Sequence, residues 1–401
     1  MQATPETGSG REGSGYSRTV KPVRTLVTGA TGYIGSRLVT ALLADGHDVV
    51  TASRHPGRFD DFGWRDDVST VELDAHDRDS ARQAFADAGK IDVVYYLVHG
   101  IGEPGFREAD NRAAANVAAA AKEAGVRRIV YLGGFVPDDE SLSEHLTSRA
   151  EVAEALTVDG GPDVVWLGAA MIFGAGSTSF EMLRYVADRF LLLPMPDWSA
   201  NPIDPISIRD VLHYLVAAAD VDAVPAGAYD IAGPETTTYG DLLQTYARVA
   251  GIWRAPVAVY GVETCLVSWV SGAVLPVPGG LAGDLIESLD HPMMASKLGI
   301  ADHVAEPPGG LLGVEDAMCR AVASPHRRPV NALADVHHLA DTDPQWAGGD
   351  TRRLRQIASA VTPSVVRPVL GLLGLVPGPV AGAARAGLDT VIGLVPKGSP
   401  A

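Results

Sequence analysis

The chain has 401 residues, a hydrophobic content of 46%, aromatics at 6% and a formal charge of −17, which suits a soluble α/β protein with one large core or two modest ones. That charge, with no dense Lys/Arg run in the first 350 residues, excludes nucleic acid as the main partner. Cys265 and Cys319 are too few and too far apart for a metal site or a disulfide framework, so a reducing, cytoplasmic compartment is expected.

In chain order, residues 1–20 are polar and rich in Gly and Ser, and read as a disordered tail without the apolar core of a secretion signal. Residues 21–167 alternate short apolar runs with longer helical patterns, as in a parallel sheet wrapped by helices. Strands are predicted at Thr25–Thr28, Asp48–Ala52, Thr70–Leu73, Val93–Val98, Arg128–Leu132 and Val164–Leu167. Helices are predicted near Ser36–Asp45, Asp79–Ala88, Phe106–Ala124 and Leu142–Val158, the third stopping at Gly125. The expected fold is a doubly wound Rossmann α/β sheet with a smaller substrate or lid region over residues 168–325. That region is expected to return one strand and helix, Ala228–Ala232 and Tyr239–Ala250, toward the sheet, and the globular part to end near Val322. Residues 326–401 read as a Pro/Gly-rich C-terminal arm.

Between the first strand and first helix lies Thr28-Gly29-Ala30-Thr31-Gly32-Tyr33-Ile34-Gly35. Glycines at 29, 32 and 35 allow a tight turn, backbone approach to a pyrophosphate and close packing of the next helix, whose N-terminus then faces the phosphates. Gly29, Thr31, Gly32, Tyr33, Ile34 and Gly35 are therefore candidate cofactor contacts. The second strand ends Thr51-Ala52-Ser53-Arg54, without the carboxylate that would meet a free ribose 2′-hydroxyl. Arg54 offers a stacking plane and a fork to a 2′-phosphate, with Ser53 adding a hydroxyl and Arg58 or Arg37 adding charge, so NADP(H) is expected over NAD(H). The competing assignment for Arg54 is an ordinary surface arginine. Asp74 and Ala75, after the third strand, are candidates for the adenine, with a turn or helix-cap role for Asp74 as the alternative. Leu97, Val98 and His99, at the end of the fourth strand, would underlie the nicotinamide half, although His99 also suits a plain loop.

Thr28–Gly35, Asp74, Asp92–His99 and Ala124–Gly134 together resemble the short-chain dehydrogenase/reductase superfamily, with the glycine spacing of its extended members. Tyr95–Gly100, Leu142–Val152 and Gly174–Glu181 are similar to an atypical, NmrA-like and epimerase-like subgroup of bacterial proteins that lacks the usual active site. The resemblance runs from about residue 23 to 322, and Asp343–Gly349 also resembles the subgroup's tail region.

Ordinary members use a Tyr as acid or base, a Lys four residues later and a Ser after the fifth strand. The matching places here hold His145, Arg149 and Gly134. The resemblance thus implies a His145/Arg149 pair that assists reduction of an apolar carbonyl, enone or quinone-like small molecule by NADPH. The plain alternative is two helix-surface residues paired with Glu144 or Glu151. Phe180, Met182, Trp198, Trp253 and Trp269 are candidate pocket walls, each with a core role as alternative.

A second function class is a non-catalytic NADP(H)-binding accessory or redox-sensing protein, by analogy with superfamily members in respiratory complexes. Its motif is the stretch from residue 352, where Arg352, Arg353, Arg355, Arg367, Arg385 and Lys397 face only Asp389 and flank the apolar pieces Val369–Val376 and Leu388–Val395. Such a stretch suits peripheral contact with the inner face of a membrane or with a protein partner; covering the protein's own core or a homodimer interface is the alternative.

Overall fold

The computed structural model describes residues 21–100, 105–135, 144–261, 276, 288–296, 299–324 and 326–350. The N-terminal tail, Cys265, Trp269 and the basic stretch from residue 352 lie outside the described residues.

Strands β1 (Arg24–Thr28), β2 (Asp48–Ser53), β3 (Ser69–Glu72), β4 (Val93–Tyr96), β5 (Arg128–Gly134) and β6 (Asp163–Ala169) form a parallel sheet with the later strand Gly227–Asp230. Its order is Gly227–Asp230, β6, β5, β4, β1, β2, β3, so the chain reverses direction across the sheet between β1 and β4. The expected return of a strand to the main sheet is met: Ala228 pairs with Trp166 and Tyr229 with Leu167 at the β6 edge.

Alternation within the strands sends adjacent side chains to opposite layers. Val27, Val93, Tyr95 and Val130 pack beneath α1 (Tyr33–Asp45) and α6 (Ile208–Ala217). Leu26, Val94, Ile129 and Tyr131 face α2 (Arg78–Ala88), α3 (Phe106–Glu123) and α4 (Glu144–Leu156). Local stop and start signals fix the helices: Gly46 ends α1 at φ 88°, and Asp77 accepts from the amides of Asp79 and Ser80 at the head of α2.

A third cluster joins α5 (Thr178–Arg189), α7 (Tyr239–Val249) and the Val314–Val322 helix through Phe180, Leu183, Leu242, Tyr246 and Met318. Leu339 and Ala347 belong to that same core. The body therefore does not end near Val322. Residues 326–350, expected as part of the C-terminal arm, are fastened by buried ion pairs, Asp343 to Arg37 at 2.7 Å and Asp350 to Arg189 at 2.8 Å. Arg327 adds contacts to the carbonyls of Pro344 at 2.7 Å and Ala347 at 3.1 Å.

Candidate functional site

One cleft of about 940 Å³ opens at the carboxyl ends of the strands where β1 and β4 part, the place where doubly wound sheets bind ligands. Gly29, at φ 67°, sits so close beneath β4 that a Cβ would fall 2.6 Å from the Leu97 carbonyl oxygen. A Cβ on Gly35 would lie 2.2 Å from the Gly29 carbonyl oxygen, so turn and helix meet at backbone contact. Thr28 locks the same corner, its hydroxyl donating to Tyr95 O at 3.0 Å and accepting from Leu97 N at 3.2 Å. At Gly32 the head of α1 carries no side-chain cap, which leaves first-turn amides facing the cleft for an anion.

Of the cofactor residues expected from the sequence, Gly29, Thr31, Gly32, Tyr33, Ile34, Gly35, Ser53, Arg54, Arg58, Asp74, Ala75, Leu97, Val98 and His99 line this cleft, and Arg37 does not. Arg54 is exposed at the end of β2, and Arg58 is exposed in the short turn Pro56–Asp61. Neither side chain forms an ion pair or hydrogen bond among the described residues. The segment that carries Arg58 is rooted in the core by Phe59, Phe62 and Trp64, with ring centroids 4.8 Å apart for Phe62 and Trp64 and the Trp64 indole donating to Ser36 O at 3.2 Å. Asp74 takes the turn role, accepting from His76 N at 3.0 Å, and Asp77 rather than Asp74 caps α2. The Tyr33 hydroxyl is buried against Gly174, and that burial raises its pKa.

Arg37 does not add charge at the adenosine end. Its guanidinium lies 1% exposed, forked onto Asp343 at 2.9 and 2.7 Å and hydrogen-bonded to the carbonyls of Val336, Tyr33 and His338. Phe180, Met182, Trp198 and Trp253 do not line this cleft. Phe180 and Met182 are core, Trp198 packs on Tyr239 at 5.8 Å, and Trp253 is 70% exposed.

The inner end of the cleft is bounded by Leu132, Gly133, Gly134, Ala169, Ala170, Ile172 and Ser177–Ser179, with Arg149 and Asp110 as its charged members. His145 belongs to α4, one turn before Arg149, and its side chain lies outside the described residues. Glu151 is not the partner of Arg149. It binds Arg107, at 2.7 Å from Nε, and the Asn111 amide at 2.8 Å, and the Arg107 guanidinium holds its carboxyl down at about 2.

Asp110 was not expected from the sequence. It is 2% exposed and accepts from Gly100 N at 2.8 Å; burial raises its pKa against the pull of that amide and of Arg149. The signal lay in α3 itself, where Phe106, Asp110, Ala113, Ala114 and Val117 fall on one buried helical face.

Elsewhere, Ser207 Oγ lies 2.7 Å from His337 Nε2, and His337 Nδ1 lies 2.6 Å from Asp335 Oδ1, in the order of a Ser-His-Asp relay. Ser207 is 1% exposed, accepts from Arg209 N at the head of α6, and stands outside the cleft. The relay therefore fastens residues 335–337 to α6.

Comparison with known proteins matches residues 29–159 to a family described as NAD(P)H-binding. The chain is 24% identical over 252 residues to mitochondrial NADH dehydrogenase (ubiquinone) 1 alpha subcomplex subunit 9 of Arabidopsis thaliana, covering 61% of this chain and 62% of that protein. It is 28% identical over 234 residues to (4-alkanoyl-5-oxo-2,5-dihydrofuran-3-yl)methyl phosphate reductase of Streptomyces griseus, covering 56% of this chain and 73% of that one. The crystal structure of Citrobacter sp. triphenylmethane reductase complexed with NADP(H) superposes with a TM-score of 0.58 at 17% identity, over 74% of this chain and 99% of that chain.

Proposed function

From the premise that residues 29–159 form an NAD(P)H-binding Rossmann domain of the atypical short-chain dehydrogenase/reductase superfamily, we propose that the protein is an NADP(H)-dependent oxidoreductase acting on an apolar carbonyl, enone or quinone-like substrate. The observation that carries this reading is a cleft that runs from Arg54 and Arg58, which form no ion pair or hydrogen bond among the described residues, past the glycine turn to an inner end walled in part by Leu132, Ala169, Ala170 and Ile172. The glycine turn and the head of α1 would hold the pyrophosphate, Arg54, Arg58 and Ser53 the 2′-phosphate, and Leu97, Val98 and His99 the nicotinamide half. When bound, the reduced nicotinamide supplies a hydride. Leu132, Ala169, Ala170 and Ile172 exclude water beside it, and Arg149 presents a fixed positive charge to an acceptor oxygen.

Arg54→Glu is expected to weaken NADPH binding by about 10–100-fold, the range that follows from losing a charged hydrogen bond, and to shift preference toward NADH. Equal NADPH and NADH affinities in the wild type, unchanged by the substitution, would count against the 2′-phosphate role. The function itself is tested by NADPH consumption with a panel of quinones, enones, aldehydes and ketones. Turnover is expected with conjugated acceptors.

A second reading, a non-catalytic NADP(H)-binding accessory protein that engages a membrane surface or partner complex through residues 352–401, is favoured by Gly134 and Arg149 standing where a Ser and a Lys would act. The relative named as a subunit of an NADH dehydrogenase supports it as well. NADPH binding without turnover on any acceptor would select that reading.

A further inference from the structure

The inner end of the cleft contains a buried cation. Arg149 is 6% exposed, lines the cleft and forms no ion pair among the described residues. The groups whose charges bear on it are Asp110 and the hydroxyls of Tyr96 and Tyr131. Tyr131 is itself buried and donates to the Arg149 carbonyl at 3.4 Å, and the Asp110 carboxyl is engaged by Gly100 N at 2.8 Å. An arginine keeps its charge throughout the ordinary pH range, and removing that charge from water without an anion is unfavourable. The arrangement suits an anionic group that arrives with a ligand.

The cofactor's phosphates do not fill that role. Their place is the head of α1 beside β1, whereas Arg149 stands beside Gly134 at the end of β5, two strands away and therefore about 10 Å across the sheet. Space is open there as well: a Cβ on Gly134 would meet only Arg149 Cγ at 3.8 Å and Ala169 O at 3.9 Å. Leu132, Ala169, Ala170 and Ile172 supply apolar wall beside it.

Building on the oxidoreductase reading, we propose that Arg149 is the residue that recognises the substrate's oxygen as an anion, and that the substrate class is a conjugated acceptor, an enone or quinone, whose reduced form is an enolate or phenolate. In such a reduction a hydride supplied by the reduced nicotinamide, whose own C–H bond would break, would form a C–H bond at the conjugated carbon. The π pair moves through the conjugated system onto oxygen, and the oxyanion rests against Arg149. A proton from water then completes the product. A fixed cation holds that charge but releases no proton, so it serves a delocalised oxyanion and serves poorly the alkoxide of an isolated ketone.

The test uses the full-length protein with saturating NADP⁺, so that binding is read without turnover. Calorimetric titration compares 4-nitrophenolate with uncharged 4-nitroanisole in wild type, Arg149→Met and Arg149→Lys. Wild type is expected to prefer the phenolate by about tenfold or more, Arg149→Met to lose the preference and Arg149→Lys to keep most of it. NADPH affinity should stay within about threefold in both variants, a change of well under 1 kcal/mol. Phenolate preference surviving in Arg149→Met, or absent in wild type, overturns the proposal. A tenfold loss of NADPH affinity with phenolate preference intact would give Arg149 to the cofactor and overturn it too. Should Arg149→Met not fold, Arg149→Gln carries the same comparison. Failure of the reductase reading shows separately, as absence of NADPH consumption by the wild type.

Discussion

Arg37→Ala is expected to destabilise the protein by about 3–5 kcal/mol, the cost of leaving a buried carboxylate without its partner. Burial pulls the Arg37 pKa down, yet the Asp343 carboxylate more than restores it, so the guanidinium is held as a cation in the interior. The guanidinium also lies over the Tyr33 ring at 4.0 Å and reaches the carbonyls of Val336 and His338, so one side chain ties α1 to residues 336–343. Denaturant unfolding would show a lower midpoint, and limited proteolysis would show new cutting within residues 326–350. Asp343→Asn should behave in the same direction with a smaller loss, because it removes a charge while keeping the shape. An unchanged midpoint in Arg37→Ala would contradict this account of the segment.

The second large effect is on cofactor binding. In Gly35→Ala the new Cβ would meet Gly29 O at 2.2 Å, Gly29 C at 2.9 Å and Ala30 Cα at 3.0 Å. All three are backbone atoms, so relief requires opening the turn that forms the phosphate site, rather than a side-chain rotation. Overpacking of this kind costs about 1–3 kcal/mol, and placed wholly in the phosphate cradle it should raise the NADPH dissociation constant by about 100-fold. Gly299→Ala is the control, since a Cβ there meets Tyr229 at an ordinary 3.8 Å. Fluorescence titration of the two variants should separate them; equal affinities would remove the close-approach role of Gly35.

The glycine-turn end of the cleft was legible in the sequence because its parts are local. A strand, three glycines and a helix occupy consecutive residues, Ser53 and Asp74 each follow directly on a predicted strand, and Leu97 falls at the end of another, so strand order alone brings them to one rim. β4 ends at Tyr96, two residues earlier than expected, which frees Leu97 and Val98 to turn into the cleft.

Misreadings arose where a partner lies far along the chain. Arg37 looked like a free cation beside the glycine motif, but its carboxylate lies 306 residues away, beyond any local periodicity. Residues 326–350 lack a long periodic element and so read as an arm; they are held by Arg37 and Arg189, which reach them from other segments, and by Arg327 within the segment. Asp110 sits in the polar start of α3, where charged residues usually face solvent, yet its spacing from Phe106 and Ala114 puts it on the inner face.

The central claim, that this cleft carries out a reduction, is tested most directly with NADPH deuterated at nicotinamide C4 and a conjugated acceptor, analysed by mass spectrometry of the product. The account predicts deuterium on the product carbon, delivered from one face of the nicotinamide. NADPH that binds tightly while no acceptor gains the label would contradict it.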